Sequence, residues 1–142
     1  MIQRIQTIWL LLIAAFAFAS LKLPFYTGNI EVLTENIAKA EYHKLTGTET
    51  IPLIILTTSV GVLSLITIFL YNNRKFQMRL CFTGLLIELA VLFLYYREFN
   101  KYTQGTFALT SVLQILIVLL FLFAFRGIYK DNKIVKESDR LR

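Results

Sequence analysis

Four long apolar runs alternate with short polar segments along the chain, at residues 8–23, 51–71, 80–96 and 106–125. At 1.5 Å of rise per residue, a run of about 20 residues spans roughly 30 Å, the thickness of a bilayer's hydrocarbon core. The second and fourth runs meet that length. The third is near the lower limit, and Phe76 and Met78 can extend it. Pro24 stops the first run, because proline lacks an N–H and disfavours helix in the residue before it. Asn72, Asn73, Arg74 and Lys75 end the second, Gly105 precedes the fourth, and Arg126 and Gly127 close it. The pattern predicts a single all-α domain, an integral membrane four-helix bundle.

The polar segments divide in two. Residues 24–50 form a polar external loop between the first two helices. Within it, residues 29–33 suit a short strand and residues 34–45 a helix capped by Thr34. Residues 126–142 form a polar tail. There Ile134, Val135 and Leu141 share one face and Lys130, Lys133, Lys136 and Arg140 another, as in an interfacial helix attracting anionic lipid head groups. Asp131, Glu137 and Asp139 dilute that charge, which leaves a plainly solvated tail as the competing reading. Ala17, Phe18 and Ala19 resemble a signal-peptide cleavage site. Bulky apolar residues continue past them through Leu21 and Leu23, so an uncleaved first span is expected.

Basic residues set the orientation. Arg4, Arg74, Lys75, Arg79, Arg126, Lys130, Lys133, Lys136, Arg140 and Arg142 fall on one side of the predicted spans. Only Lys22, Lys39, Lys44, Arg97 and Lys101 fall on the other. Lys and Arg in short loops stay cytoplasmic, so both termini are expected inside and the loop at residues 24–50 is expected to be periplasmic. Trp9, Tyr71 and Tyr129 then mark the inner boundary, and Tyr26, Tyr95, Tyr96 and Tyr102 the outer one.

Composition sharpens this picture. The apolar fraction is 56 % and the mean hydropathy +0.62, above the range usual for soluble domains. The net charge of +6 flanks the apolar runs, and no RNA-binding signature accompanies it, so no nucleic-acid partner is expected. One cysteine, Cys81, allows no internal disulfide. One histidine, His43, allows no multi-histidine metal site within one chain. Phosphate-loop, zinc-protease and Gly-x-Ser-x-Gly patterns are missing. Asp131 and Asp139 are expected across the membrane from His43. No catalytic residues, cofactor or enzymatic activity are therefore expected.

Glu88 is the most informative residue. A carboxylate near the middle of a span is costly, so it usually faces the bundle interior and often marks function. Cys81, Gly84 and Glu88 share a face by their spacing, and Gly84 permits close approach of another helix. Thr110, Ser111 and Gln114 on the fourth run, with Gln114 near mid-depth, are the candidate partners. Thr57, Thr58, Gly61 and Ser64 on the second run are further ones. The bland reading is a neutral carboxyl gluing helices together; the functional ones are a partner contact or a proton or ion relay. Ala15/Ala19 and Thr57/Gly61 match small-residue packing spacing.

The opening, Met1, Ile2, Gln3, Arg4, Ile5, Gln6 and Thr7 with Trp9, Leu10, Leu11 and Leu12, resembles that of an uncharacterised family of small membrane proteins of Bacteroidota. The close, from Arg126, Gly127 and Ile128 to Ser138, Asp139, Arg140, Leu141 and Arg142, is similar to that family's end. The resemblance implies a bacterial inner membrane and a four-span layout, and it supplies no activity. Both motifs lie on the predicted cytoplasmic side, which suggests a contact surface of Arg4, Arg126, Asp139, Arg140 and Arg142. The expected function is a non-enzymatic accessory or scaffold subunit of a larger inner-membrane complex. The alternative is a small oligomeric transporter or channel with Glu88 in its pathway.

Overall fold

The computed structural model describes residues 5–34, 37–70, 73–102 and 104–140. It is mostly helical. α1 is Ile5–Ser20, α2 Ile51–Phe69, α3 Arg74–Phe99 and α4 Val112–Arg140. Each packs on two neighbours, α1 on α2 and α4, and α3 on α2 and α4. Three stretches are long and apolar enough to cross a membrane, at Ile51–Phe69, Arg74–Phe99 and Leu109–Lys133; α1 is apolar but shorter.

The helix boundaries follow local chemistry. Pro52 occupies the first turn of α2, where its missing N–H costs nothing. Asn73 caps α3, its side chain accepting from the Phe76 N–H. α4 continues without a break to Arg140, so residues 128–140 are not the separate tail segment expected from their polarity. The inward stripes are narrow: Leu10, Ile13 and Ala17 on α1 meet Val60 on α2, Cys81 on α3, and Ile117, Phe121, Ala124 and Ile128 on α4.

An all-α fold was the expectation, and the chain departs from it. The strand expected at residues 29–33 is part of a longer one, and residues 37–45 are strand rather than helix. β1 (Pro24–Thr34) and β2 (Ile37–Thr46) form an antiparallel hairpin, paired from Pro24↔Thr46 to Thr34↔Ile37. β3 (Gln104–Phe107), which takes up the first two residues of the expected fourth span, pairs antiparallel with the other edge of β1, giving the order β2-β1-β3. Ladder hydrogen bonds to β1 outweigh the helix preference of residues 37–45. Gly28 and Gly105 pair across β1 and β3. A Cβ at Gly28 would stand 2.3 Å from the Gln104 carbonyl oxygen, so only glycine permits this approach.

The sheet sits at the helix ends where α1 and α3 finish and α2 and α4 begin. Tyr26 of β1 packs edge-on against Tyr102 and Phe107 and tilts against Phe99. Phe25 stacks on Tyr95 of α3 with ring centroids 4.3 Å apart. The Ala108 N–H donates to the Phe25 carbonyl at 3.1 Å, and the Thr110 hydroxyl donates to the Pro24 carbonyl. Sheet and helices are therefore one packed unit.

Candidate functional site

The buried stripe of α3 runs Gln77, Cys81, Gly84, Glu88, Val91, Tyr95 and Glu98, steps of three and four residues that keep one face inward. This confirms the shared face of Cys81, Gly84 and Glu88. Gly84 admits the Phe121 ring of α4: an added Cβ would meet two of its carbons at 2.8 Å. Gly61 on α2 receives Phe18 of α1 in the same way. Thr57 and Gly61 are both buried, whereas Ala15 is exposed and the inward alanines of α1 are Ala14 and Ala17. The packing signal at Ala15/Ala19 was thus one residue off the true face.

Glu88 is 1 % exposed and Gln114 2 %. Both carboxyl oxygens of Glu88, both polar atoms of the Gln114 amide and the hydroxyls of Thr57 and Tyr95 are shut from solvent, with no hydrogen bond of ordinary geometry to other described residues. The Tyr95 phenol lies within electrostatic reach of both Glu88 and Gln114. Buried polar atoms of this kind cost free energy unless something answers them, so the cluster is a specific feature rather than filler. Other interior hydroxyls are satisfied by their own helices: Ser64 donates to the Val60 carbonyl and Thr67 to that of Leu63.

The expected partners of Glu88 separate. Gln114 lies in the first turn of α4, because the helix begins at Val112; it is nearer the sheet than the mid-depth expected from a run starting at residue 106. Thr110 is spent on the Pro24 carbonyl and Ser111 is half-buried in the turn before α4, so neither joins Glu88. Tyr95 was missed. It was read as an interfacial ring beside Tyr96, yet it is fully buried while Tyr96 is exposed. Its seven-residue spacing from Glu88 was the available signal.

At the sheet end, His43 Nδ1 and the Tyr102 hydroxyl share a hydrogen bond of 3.2 Å, and His43 Nε2 stands 3.4 Å from Glu49. Burial first, and then the nearby Glu49 and Glu98, push the Tyr102 phenol up to about 12. Glu98 is buried and held by Lys101 at 2.6 Å. At the opposite end, the Gln6 amide donates to Asp131 Oδ2 at 2.9 Å, and Arg74 donates to the Asp131 carbonyl at 2.6 Å. Of the expected contact surface, Arg126 is exposed, Asp139 and Arg140 lie on the helical backbone of α4, and Arg4 and Arg142 fall outside the described residues. Among the described residues, no three His, Cys, Asp or Glu side chains converge as a metal-ligand set.

Three long apolar helices, a shorter apolar helix packed among them and a small sheet at one end define a helical protein compatible with a membrane-embedded state. The chain belongs to the family described as "Domain of unknown function (DUF4293)", which matches residues 2–141. No curated protein and no solved structure matches it.

Proposed function

We propose that the chain is a non-enzymatic, four-span protein of a bacterial inner membrane that serves as an accessory or scaffold subunit of a larger complex. In this reading α1 also crosses the membrane, both termini are cytoplasmic and the sheet is periplasmic. α1 covers only about 24 Å at 1.5 Å per residue, but its packing against α2 and α4 supports counting it among the spans. The surplus of basic residues at the α2–α3 turn and along α4 supports the orientation.

One observation carries the choice of scaffold over transport. The carboxyl of Glu88 is enclosed by its own chain, with both oxygens shut from solvent. A group at that place faces the interior of one subunit. It does not line the axis of an oligomer, as the transport alternative requires. What remains on offer to a partner is the apolar outside of the helices and a sheet whose outer strands β2 and β3 each have one open edge. Anionic lipid head groups at the basic end of α4 complete the expected surroundings.

Affinity purification of the full chain in mild detergent, followed by mass spectrometry, tests this. A stoichiometric larger membrane protein is expected, and Glu88→Gln should retain it. A bare homo-oligomer whose proton-coupled transport disappears in Glu88→Gln would establish the transport reading instead.

A further inference from the structure

Two apolar clusters fill the bundle. One, with Val60, Cys81 and Ile117, lies toward the α2–α3 turn. The other, with Leu53, Val91 and Tyr95, lies toward the sheet. Between them, three helices each turn a polar side chain inward. On α2, Thr57 falls between Leu53 and Val60. On α3, Glu88 falls between Cys81 and Val91. On α4, Gln114 comes one turn before Ile117, on the sheet side. The Tyr95 phenol, beside Gln114 and within electrostatic reach of Glu88, caps this polar layer from the sheet side. Thr57 is set apart from its neighbours. Ser64 and Thr67, further along the same buried stripe, each donate to a carbonyl one turn back. Thr57 makes no such bond, so its hydroxyl remains available to the layer.

The unanswered atoms of this layer are nearly all oxygens. They are the two of the Glu88 carboxyl and one each of Gln114, Thr57 and Tyr95, with the Gln114 amide nitrogen as the exception. A carboxylate shut from solvent is costly without an opposite charge. Among the described residues no lysine, arginine or histidine is buried, so no side chain supplies that charge in the interior. Hard cations take oxygen ligands, whereas softer metals favour sulfur and imidazole. One carboxylate among neutral oxygens balances one positive charge; a divalent ion would leave a surplus charge buried. We propose that the layer binds a single sodium ion. Its ligands are the Glu88 carboxylate, the Gln114 amide oxygen and the Thr57 hydroxyl oxygen, and Tyr95 closes the site against the sheet. The ion fastens α2, α3 and α4 to one another at the level where apolar packing is interrupted.

The site requires only the folded bundle, so it stands or falls apart from the scaffold reading. A ligand that binds the folded chain alone raises its unfolding temperature by mass action. Thermal unfolding of the full chain in detergent, titrated with sodium chloride against choline chloride at equal ionic strength, reads this out. Sodium is expected to raise the midpoint by a few degrees and to saturate, while choline does not. Glu88→Gln should lose the sodium response and unfold close to the native chain in choline. Thr57→Val, nearly the same shape without the hydroxyl, should need several-fold more sodium for the same rise. Ser64→Ala, which removes a hydroxyl already spent on its own helix, should keep the full response. A native chain that unfolds alike in sodium and choline overturns the proposal, because a proton on Glu88 then closes the layer by itself. A sodium response that survives in Glu88→Gln also overturns it, by placing the ion elsewhere. An undiminished response in Thr57→Val removes Thr57 from the site and with it the proposed ligand set.

Discussion

Gln6 and Asp131, separated by 125 residues in sequence, are joined by a hydrogen bond of 2.9 Å from the Gln6 amide to Oδ2. Gln6 is 5 % exposed, and a Cβ at Gly127, one turn before Asp131, would meet its side chain at 3.4 Å. Arg74 adds α3 to the contact through the Asp131 carbonyl. The two terminal motifs that resemble the family therefore touch each other, and part of their chemistry is internal fastening. Gln6→Ala is expected to lower stability by about 1–3 kcal/mol, the usual cost of leaving a buried polar partner unanswered. Thermal unfolding in detergent checks this, and an unchanged midpoint would show the bond to be idle.

Gly84→Leu should separate α3 from α4. Its Cβ alone would press on the Phe121 ring, and overpacking of this kind costs about 1–3 kcal/mol. Phe121→Ala leaves a cavity on its own, yet combined with Gly84→Leu it should recover part of the loss. A double-mutant cycle on detergent unfolding measures that coupling. Simple additivity would mean that the contact between these residues does not hold the pair together.

Glu88→Gln keeps the shape of a side chain buried beside Gln114 and Tyr95, and it should stay within about 1 kcal/mol of the native stability, as isosteric changes commonly do. Glu88→Lys puts a longer cation at the same place. A lysine at a helix centre opposes membrane insertion by about 2.5–3.5 kcal/mol, so the yield of membrane-inserted protein should fall sharply. Membrane-fraction blots of both variants distinguish them, and equal yields would deny Glu88 its interior position in the bilayer.

Tyr102 ties the sheet to the end of α3 and, among the described residues, carries the one shifted phenol outside the apolar helices. Its folded value is pushed up to about 12 from the ordinary 10 by burial and by Glu49 and Glu98. In the window between those values the folded chain keeps a proton that the unfolded chain has released, so stability falls with rising pH. Below that window the contribution is constant. The stability difference between the native chain and Tyr102→Phe should therefore hold steady up to about pH 10 and turn against the native chain above it. Paired melts at pH 9 and pH 11 read this out, and a difference that ignores pH would place Tyr102 in solvent.

The helices were legible because each is a long apolar run with a named stop, such as Pro24 or Asn73, and because Cys81, Gly84 and Glu88 repeat at helical spacing. The sheet was not. β1 and β3 are 70 or more residues apart in register, from Tyr26↔Phe107 to Asn29↔Gln104, and no local pattern announces such a pairing. Gly105 read as a boundary before a span, whereas its role is the close approach to Gly28. That same misplacement put the start of the fourth helix too early, and with it Gln114 too deep and Thr110 beside Glu88. Tyr95 was hidden by Tyr96: adjacent tyrosines look alike to an interface rule, and only helical phase separates the buried ring from the exposed one.

Orientation is open to direct labelling, because Cys81 is 1 % exposed and the native chain should react little with a maleimide. Lys44 on β2 and Lys101 after α3 are exposed at the sheet end, and Arg126 and Lys130 on α4 are exposed at the other. Replaced singly by cysteine, the first two should react with a membrane-impermeant maleimide in intact cells. The second two should react only after the inner membrane is opened. In the four-span proposal both ends of the described chain share one side, and the basic surplus near Arg74, Lys75, Arg79 and α4 is expected to keep that side cytoplasmic. Reaction of Arg126→Cys and Lys130→Cys in intact cells, with Lys44→Cys and Lys101→Cys protected, would reverse the orientation while keeping four spans. Reaction of Lys44→Cys and Lys130→Cys from the same side would mean that the helix layer between sheet and α4 terminus does not cross the bilayer at all.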